Sequence, residues 1–328
     1  MTRIFITGGS GFIGGRLIGR LLAEGNSVHA LARSPAAAAR CRELGAEPVM
    51  GDLGDVEAMR SGAGGCEIAF HAAANAADWG KPDDFQKGNV QGTSNALEAC
   101  SEAGIRRFLH IGTEAALFAG KPLVDVDETA PLRPDSRALY SASKARAEQL
   151  VLAANRDGFE TVVVRPRFVW GLGDTTLLPR MVELARSGRF AWIGGGHHPT
   201  STTHIENVLE GLVLGATRGR PGNAYFITDG DPVDFRDFVS ELLATQGVQA
   251  PSRSIPVPLA AMLARGGETA WSLLQLPGRP PLTLLAYWIS AQQCTIKIDK
   301  AREHLDYRPV KTIADGLAEM RSSRETST

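Results

Sequence analysis

What this sequence lacks sets the first limits on what it does. It has no bias of charge: the formal net charge is −1, which leaves no electrostatic footprint for nucleic acid or an anionic membrane surface. Cysteine is scarce. The four, Cys41, Cys66, Cys100 and Cys294, are scattered with no CxxC pair or neighbouring histidine cluster. Neither a disulfide framework nor a metal site is expected, and a reducing cytoplasm is the expected location. Long apolar runs are missing too. The first one stops at Ile6, before a run of glycines, and does not fit a signal peptide. Residues 255–288 are rich in Leu, Ala and Trp, but Arg265, Glu268, Pro277, Arg279, Pro280 and Pro281 interrupt them well short of the ~18 uncharged apolar residues that a span needs. Helices covering a core or an apolar pocket are expected there instead.

What is present is an ordinary globular composition, 43% hydrophobic over 328 residues, enough chain to bury a large core. Its most informative stretch is TGGSGFIG, Thr7 to Gly14. A short apolar strand, residues 3–6, precedes it, and Leu17, Ile18, Leu21 and Leu22 follow at helical spacing. Strand, glycine turn and helix form the context of a dinucleotide-phosphate loop. Gly8 permits a sharp turn, Gly11 lets backbone amides approach a pyrophosphate, and Gly14 lets the helix pack closely on the strand. Phe12 and Ile13 open that helix and join the candidate cofactor contacts. The helix N-terminus offers unpaired N–H groups to an anion.

Further strands are expected at residues 28–32, 47–50, 67–71, 107–111 and 161–166, alternating with helical stretches that include 84–103 and 138–155. This alternation predicts an α/β fold with a Rossmann-type, doubly wound parallel sheet. At the end of the second strand there is no acidic residue for a ribose 2′-hydroxyl, and Arg33 is placed to meet a 2′-phosphate. That points to NADP(H), with NAD(H) as the alternative. Asp52 after the third strand is a cofactor contact or the N-cap of the next helix, readings that are compatible. Ala72, Ala73 and Ala74 are small enough for the backbone to approach the cofactor, and His71 before them reads as structural. Beyond residue 170 the regularity breaks into a smaller, mostly helical lobe. We expect residues 1–170 and about 204–230 to form the cofactor domain, with Tyr225 to Thr228 rejoining its sheet. Residues 171–203 and 231–322 would form the substrate lobe, and 323–328 a frayed tail.

Tyr140 and Lys144 form YxxxK on a helix, one turn apart on one face. An ammonium beside a phenol favours the phenolate and brings it toward working range. Thr113, at the end of the preceding strand, offers a hydroxyl to orient a substrate oxygen. In this order and spacing, the glycine loop, Thr113 and YxxxK resemble the extended short-chain dehydrogenase/reductase family, NAD-dependent epimerase/dehydratase-like. The resemblance implies that Thr113, Tyr140 and Lys144 are the catalytic triad, with threonine in place of the commoner serine. It places Lys144 on the nicotinamide ribose, Asp52 and Leu53 beside the adenine, Pro166 and Val169 against the carboxamide, and Asn89 and Thr93 as props of the cofactor loops or plain helix polarity. The run from His71 through Trp79-Gly80, the helix with Asn89 to Thr93, and KAREHLDYRP at 300–309 are similar to its 3β-hydroxysteroid dehydrogenase-like branch. Hydride exchange between nicotinamide C4 and a secondary alcohol or ketone on a hydrophobic substrate is then implied, with Tyr140 exchanging the proton. Trp79, Glu114, Phe168 and Trp170 are candidate substrate contacts, and the resemblance implies a homodimer through residues 84–103 and 138–155. Two rivals remain: a nucleotide-sugar epimerase or dehydratase with tightly held NAD, for which Arg180, Arg186 and Arg189 would serve a diphosphate, and a non-catalytic cofactor-sensing protein.

Overall fold

The computed structural model describes residues 1–325. Seven parallel strands form its centre: β1 (Arg3–Thr7), β2 (Ser27–Ala32), β3 (Glu47–Met50), β4 (Ile68–His71), β5 (Arg107–Ile111), β6 (Glu160–Pro166) and β7 (Asn223–Ile227). Their order in space is β7-β6-β5-β4-β1-β2-β3, with every pairing parallel. The order reverses between β1 and β4, and the carboxyl ends of strands at such a switch point open a crevice for ligand.

The pleat explains why the sequence folds this way. Alternate strand residues face opposite sides, and both sides are apolar. Ile4, Ile6, Val28, Ala30, Val162 and Val164 enter one core, while Phe5, Leu31, Phe108 and Val163 enter the other. One core is closed by α1 (Phe12–Ala23), the other by α3 (Val56–Ala63) and α4 (Gly92–Glu102). α2 (Pro35–Glu43) follows β2, and α5 (Leu139–Ala153) precedes β6.

The expected helix over 84–103 is three pieces. A single turn at Pro82–Phe85 leads into a π-helical stretch, Gln86–Gln91, and only then into α4. The wider π turn directs buried Asn89 onto a loop: its Oδ1 accepts from Asn75 N at 2.6 Å, and its Nδ2 donates to Asn75 O at 3.0 Å.

The stretch expected as the lobe carries α6 (Leu177–Arg186), α8 (Phe235–Thr245), α9 (Val257–Leu273), α10 (Leu284–Ala291) and α12 (Ile313–Glu325). A four-stranded sheet runs through it in the order Val233–Asp234, Pro199–Thr200, Cys294–Ile296, Leu123–Val126. The chain thus crosses the expected division twice. Leu123–Val126, expected in the cofactor domain, pairs with Cys294–Ile296. α11 (Asp299–Leu305), expected in the lobe, packs on α7 (Ile205–Arg218) and β7, where Tyr307 donates its hydroxyl to Thr228 O at 2.9 Å. Helix α12 reaches Glu325, three residues into the stretch expected as a tail, and the rest of that stretch lies outside the described residues. Among the described residues no helix is long and apolar enough to cross a membrane.

Two tight features register the crevice. A Cβ at Gly14 would lie 2.2 Å from the Gly8 carbonyl oxygen, so only glycine lets α1 close on the loop. Behind them, buried His71 at the end of β4 bonds Thr7 Oγ1 of β1 at 2.7 Å and Thr93 Oγ1 of α4 at 3.0 Å. Burial, followed by the Lys144 charge, drives its pKa from 6.5 to about 3.

Gly14→Ala should destabilise by about 1–3 kcal/mol through overpacking. Gly19→Ala, on the same helix with nothing within 4 Å, should stabilise by about 0.5–1 kcal/mol through helix propensity. Paired thermal melts check both. For His71, the unfolded chain takes up a proton below pH 6.5 that the folded chain refuses. Its contribution to stability is complete above that pH and drains away as pH falls toward about 3. Between pH 7 and pH 5 this amounts to about 2 kcal/mol. Urea unfolding of His71→Gln should show an acid limb flatter than wild type by that difference.

Candidate active site

The phosphate cradle comes from β1 running directly into α1. Gly8 has φ of 77°, and a Cβ there would lie 2.5 Å from Ala73 N. Gly11 donates its N–H to Gly8 O at 3.1 Å and occupies the N-cap of α1, with no side chain accepting from the first turn and no acidic residue in it. Its neighbours differ: Ser34 caps α2 and Asp55 caps α3, each accepting a backbone N–H. The first-turn amides of Phe12, Ile13 and Gly14 therefore lack the side-chain acceptor that a helix start commonly acquires, the condition for holding an anion.

The other cofactor candidates gather at the same sheet edge. Ala72 and Ala73 follow β4 and bond to Thr7 through their N–H groups at 3.1 and 3.4 Å, and Ala74 is exposed beyond them. Arg33 is exposed at the end of β2. Asp52 is not the N-cap of α3; it accepts from Gly54 N at 2.7 Å within its own turn, and Asp55 does the capping because its carboxylate reaches Ala58 N at 3.0 Å. Leu53 is pinned through its carbonyl by Asn95 Nδ2 at 2.7 Å. Asn89 bonds Asn75 in the loop after β4, and Thr93 bonds His71 at the end of β4.

Thr113 follows β5 by two residues and caps a short 3₁₀ turn, Glu114–Leu117. Its Oγ accepts from Ala115 N at 3.2 Å and donates to Glu114 Oε2 at 2.8 Å. Tyr140 lies in the first turn of α5, half-buried, and its carbonyl accepts from Ser143 Oγ at 2.8 Å. That hydroxyl in turn accepts from Asn89 Nδ2 at 2.9 Å, so the π stretch braces the tyrosine's own turn. Burial first, then the Glu114 charge, pushes the Tyr140 phenol above its ordinary range, while the Thr113 hydroxyl pulls it back. This reverses the expected direction, because dehydration of the phenolate outweighs what a nearby ammonium offers. Lys144, one turn on, is buried and donates to Ile111 O at 2.8 Å, with His110 Nε2 at 3.2 Å. Burial brings it from 10.5 to about 8, against the raising influence of Glu148.

Pro166 ends β6, and Val169–Trp170 pairs with Thr203–His204. Between them Phe168 sits at φ 44°, a left-handed backbone for a bulky residue. Phe168 and Trp170, expected to touch substrate, are core residues. Phe168 packs edge-on against Phe235 and Phe238, and Trp170 is fully buried with its indole N–H on Asp229 Oδ2 at 2.8 Å. Trp79 is half-buried on the loop after β4, a loop clasped to the lobe where Asp78 Oδ2 accepts from Arg279 and Thr283. Glu114 is buried beneath Thr113, its other oxygen held by Arg167 Nη1 at 2.8 Å. Sequence reasoning missed Arg167 and His110. The signal for each was a basic residue within a buried apolar strand or at its end, which requires a buried partner. No metal site was expected; at the surface, His197, Asp234 and Asp237 do bring ligand atoms within 4.8 Å of one another, Asp234 being already committed as the N-cap of α8.

The chain is 45% identical, over 98% of its length and 96% of the relative's, to the 4-hydroxy-2-methyl-3-oxo-4-farnesyl-3,4-dihydroquinoline-1-oxide ketoreductase of Stigmatella aurantiaca. It is 36% identical to the 2-alkyl-3-oxoalkanoate reductase of Stenotrophomonas maltophilia, over 98% and 99% of the two lengths. Among solved structures, a dTDP-glucose 4,6-dehydratase double mutant from Streptomyces venezuelae with NAD bound superposes with a TM-score of 0.76 at 25% identity, covering 99% of this chain and 97% of that one. Residues 5–259 match the model of the 3-beta hydroxysteroid dehydrogenase/isomerase family. The chain belongs to the 3-beta hydroxysteroid dehydrogenase/isomerase family.

Proposed function

We propose that this oxidoreductase interconverts a ketone and a secondary alcohol on a hydrophobic substrate, with NADP(H) preferred over NAD(H). The observation that carries the reading is the buried Lys144 one turn from Tyr140, with Thr113 across from it, all at the sheet edge that holds the uncapped α1 N-terminus.

Gly8, Gly11, Phe12, Ile13 and Gly14 would hold the pyrophosphate, Ala72, Ala73 and Ala74 the adjoining ribose and phosphates, Asp52 and Leu53 the adenine, and Pro166 and Val169 the carboxamide. Bound there, a nicotinamide supplies the hydride chemistry. The chain's own part is proton exchange and positioning. Tyr140 gives a proton to the substrate oxygen in reduction and takes it back in oxidation. An ammonium has three N–H donors. Lys144 spends two on Ile111 O and His110, which leaves one for a ribose hydroxyl. Thr113 holds the reacting oxygen in line with Tyr140. Arg33, exposed where β2 ends, would pair with a 2′-phosphate.

The substrate class follows from two supports. Trp79 is half-buried on the loop after β4 that bonds to Arg279 and Thr283, and the names of the two reductases above carry an alkyl or a farnesyl group beside the ketone. Four buried, free cysteines fit a cytoplasmic protein, and α4 and α5, with exposed Leu150, are the helices we assign to a homodimer.

The test is loss of reduced-nicotinamide absorbance against a steroid ketone, a bulky aryl ketone, a long-chain β-keto acid and a simple aliphatic ketone. Turnover of an apolar ketone with NADPH is expected, and Tyr140→Phe should lower kcat by ~10²–10⁴-fold. Silence across the panel, with NAD co-purifying, would instead favour the epimerase or dehydratase chemistry. Arg33→Ala should raise KM for NADPH by ~10–100-fold, the loss of a charge-assisted hydrogen bond, and leave KM for NADH unchanged.

A further inference from the structure

Helix α9 places small residues inward and large apolar ones outward. On its inner face Ala260, Ala264 and Gly267 recur at steps of four and three residues. Both alanines are fully buried, and a Cβ at Gly267 would lie 3.5 Å from Pro280 Cβ. One residue out of step, Leu259, Leu263, Gly266, Ala270 and Leu273 make a second stripe, and its three leucines are exposed. Leu273 is 78% exposed, and Met262 and Leu274 flank the stripe at 63% and 68%. Among the described residues, seven of the twelve exposed large hydrophobic side chains lie between Val257 and Leu276. A helix that faces water on one side ordinarily has the opposite arrangement, and an exposed apolar patch of this kind marks a surface that meets an apolar partner.

The charges of the same segment indicate which partner. Between residues 242 and 296 the charged side chains are Arg253, Arg265, Glu268 and Arg279. The one acid is turned to the protein: Glu268 is half-buried, and its Oε1 accepts from Leu284 N at 2.7 Å. Arg279 is paired with Asp78 at 3.1 Å. Arg253 and Arg265 are exposed, so the segment turns only basic charge to solvent although the whole chain averages −1. We propose that α9 is a docking surface for an anionic lipid bilayer, with its leucines and Met262 dipped below the headgroups and Arg265 on their phosphates. At 17 residues the helix is about 25 Å long, and its one apolar face suits it to lie in the interface plane. The aliphatic stem of Arg265 can rest on apolar surface while its guanidinium stays with the headgroups.

Docking there bears on the crevice. Asp78 Oδ2, in the loop after β4, accepts from Arg279 Nη2 at 3.1 Å and from Thr283 Oγ1 at 3.0 Å. These two residues lie where the chain passes from α9 to α10. The loop that carries Trp79 is thus tied to the connection that leaves the docking helix, and a bilayer that seats α9 brings lipid, where apolar molecules concentrate, toward that loop. The docking itself does not depend on the reaction proposed above, and its test reads no turnover.

The test is flotation of the full chain with unilamellar vesicles. Wild type should rise with vesicles of equal parts phosphatidylglycerol and phosphatidylcholine, and its partition onto phosphatidylcholine alone should be about tenfold lower. Met262→Asp/Leu273→Asp should lower the partition onto the anionic vesicles by about tenfold or more. Val310→Asp, at a side chain 56% exposed on the segment after α11, should leave it within about twofold. Arg265→Gln should lower it about threefold to fivefold on the anionic vesicles and leave the phosphatidylcholine value unchanged. All these side chains are exposed, and thermal melts check that the variants fold. Should the double variant not fold, Arg265→Gln, which adds no charge to the apolar face, decides. No flotation on the anionic vesicles, equal flotation on both compositions, or a partition that these substitutions leave unmoved overturns the proposal. So does a dimer in size-exclusion chromatography that Met262→Asp/Leu273→Asp dissociates while wild type stays off the vesicles, because a second copy of the chain then covers the face.

Discussion

The rest of the site depends on a close approach between two glycines. Because Gly14 has no Cβ, α1 sits on the Gly8 carbonyl, and because Gly8 has none, the β1 turn sits on the Ala72-Ala73 backbone. These two contacts bring the start of α1 and the end of β4 to the point where the sheet reverses its order. The start of α1 carries no side-chain cap, so its first-turn amides are free for a ligand anion to complete.

Behind that edge the fold places an unusual amount of polarity under a β-branched sheet. Thr7, His71 and Thr93 form one chain, and His71 stacks on His110 at 5.4 Å, which leads to Lys144. Glu148 and Arg165 form a second buried pair one turn beyond Lys144. In a low-dielectric interior such groups are tolerated because most are paired, and pairing fixes each side chain in one place. The rigidity serves Lys144: a lysine on a flexible stem becomes a fixed donor because Ile111 O and His110 hold it from the strand.

Much of this was legible in the sequence. Strand positions followed from apolar runs separated by glycine and polar turns, and β3, β5 and α1 lie within a residue or a few of where patterning puts them. The Tyr140–Lys144 pair and the glycine loop were legible because local spacing encodes them: four residues between Tyr140 and Lys144, six between the loop's first and last glycine. The π stretch was not, since an inserted residue leaves the apolar periodicity of residues 84–103 intact while rotating Asn89 toward Asn75 and Ser143. Phe168 and Trp170 were misplaced for a different reason. An aromatic ring looks the same in sequence whether it lines a pocket or fills a core, and only Phe235 and Phe238, more than sixty residues later, decide it.

Glu114 shows where such reading reaches its physical limit. Beside a strand-end threonine it looks like a substrate contact, because a carboxylate at a crevice is ordinarily exposed. What changes its role is Arg167, fifty-three residues away, which no local pattern links to it. Pairing converts an acid that would face solvent into one that is almost dry, and a dry carboxylate acts on its neighbours through direction as much as through charge: it fixes where the Thr113 proton points and raises the cost of ionising Tyr140. The first effect passes through hydrogen bonds shorter than 3 Å and the second through charge, so ionisation of Tyr140 depends in part on a carboxylate held by Arg167 from the segment after β6.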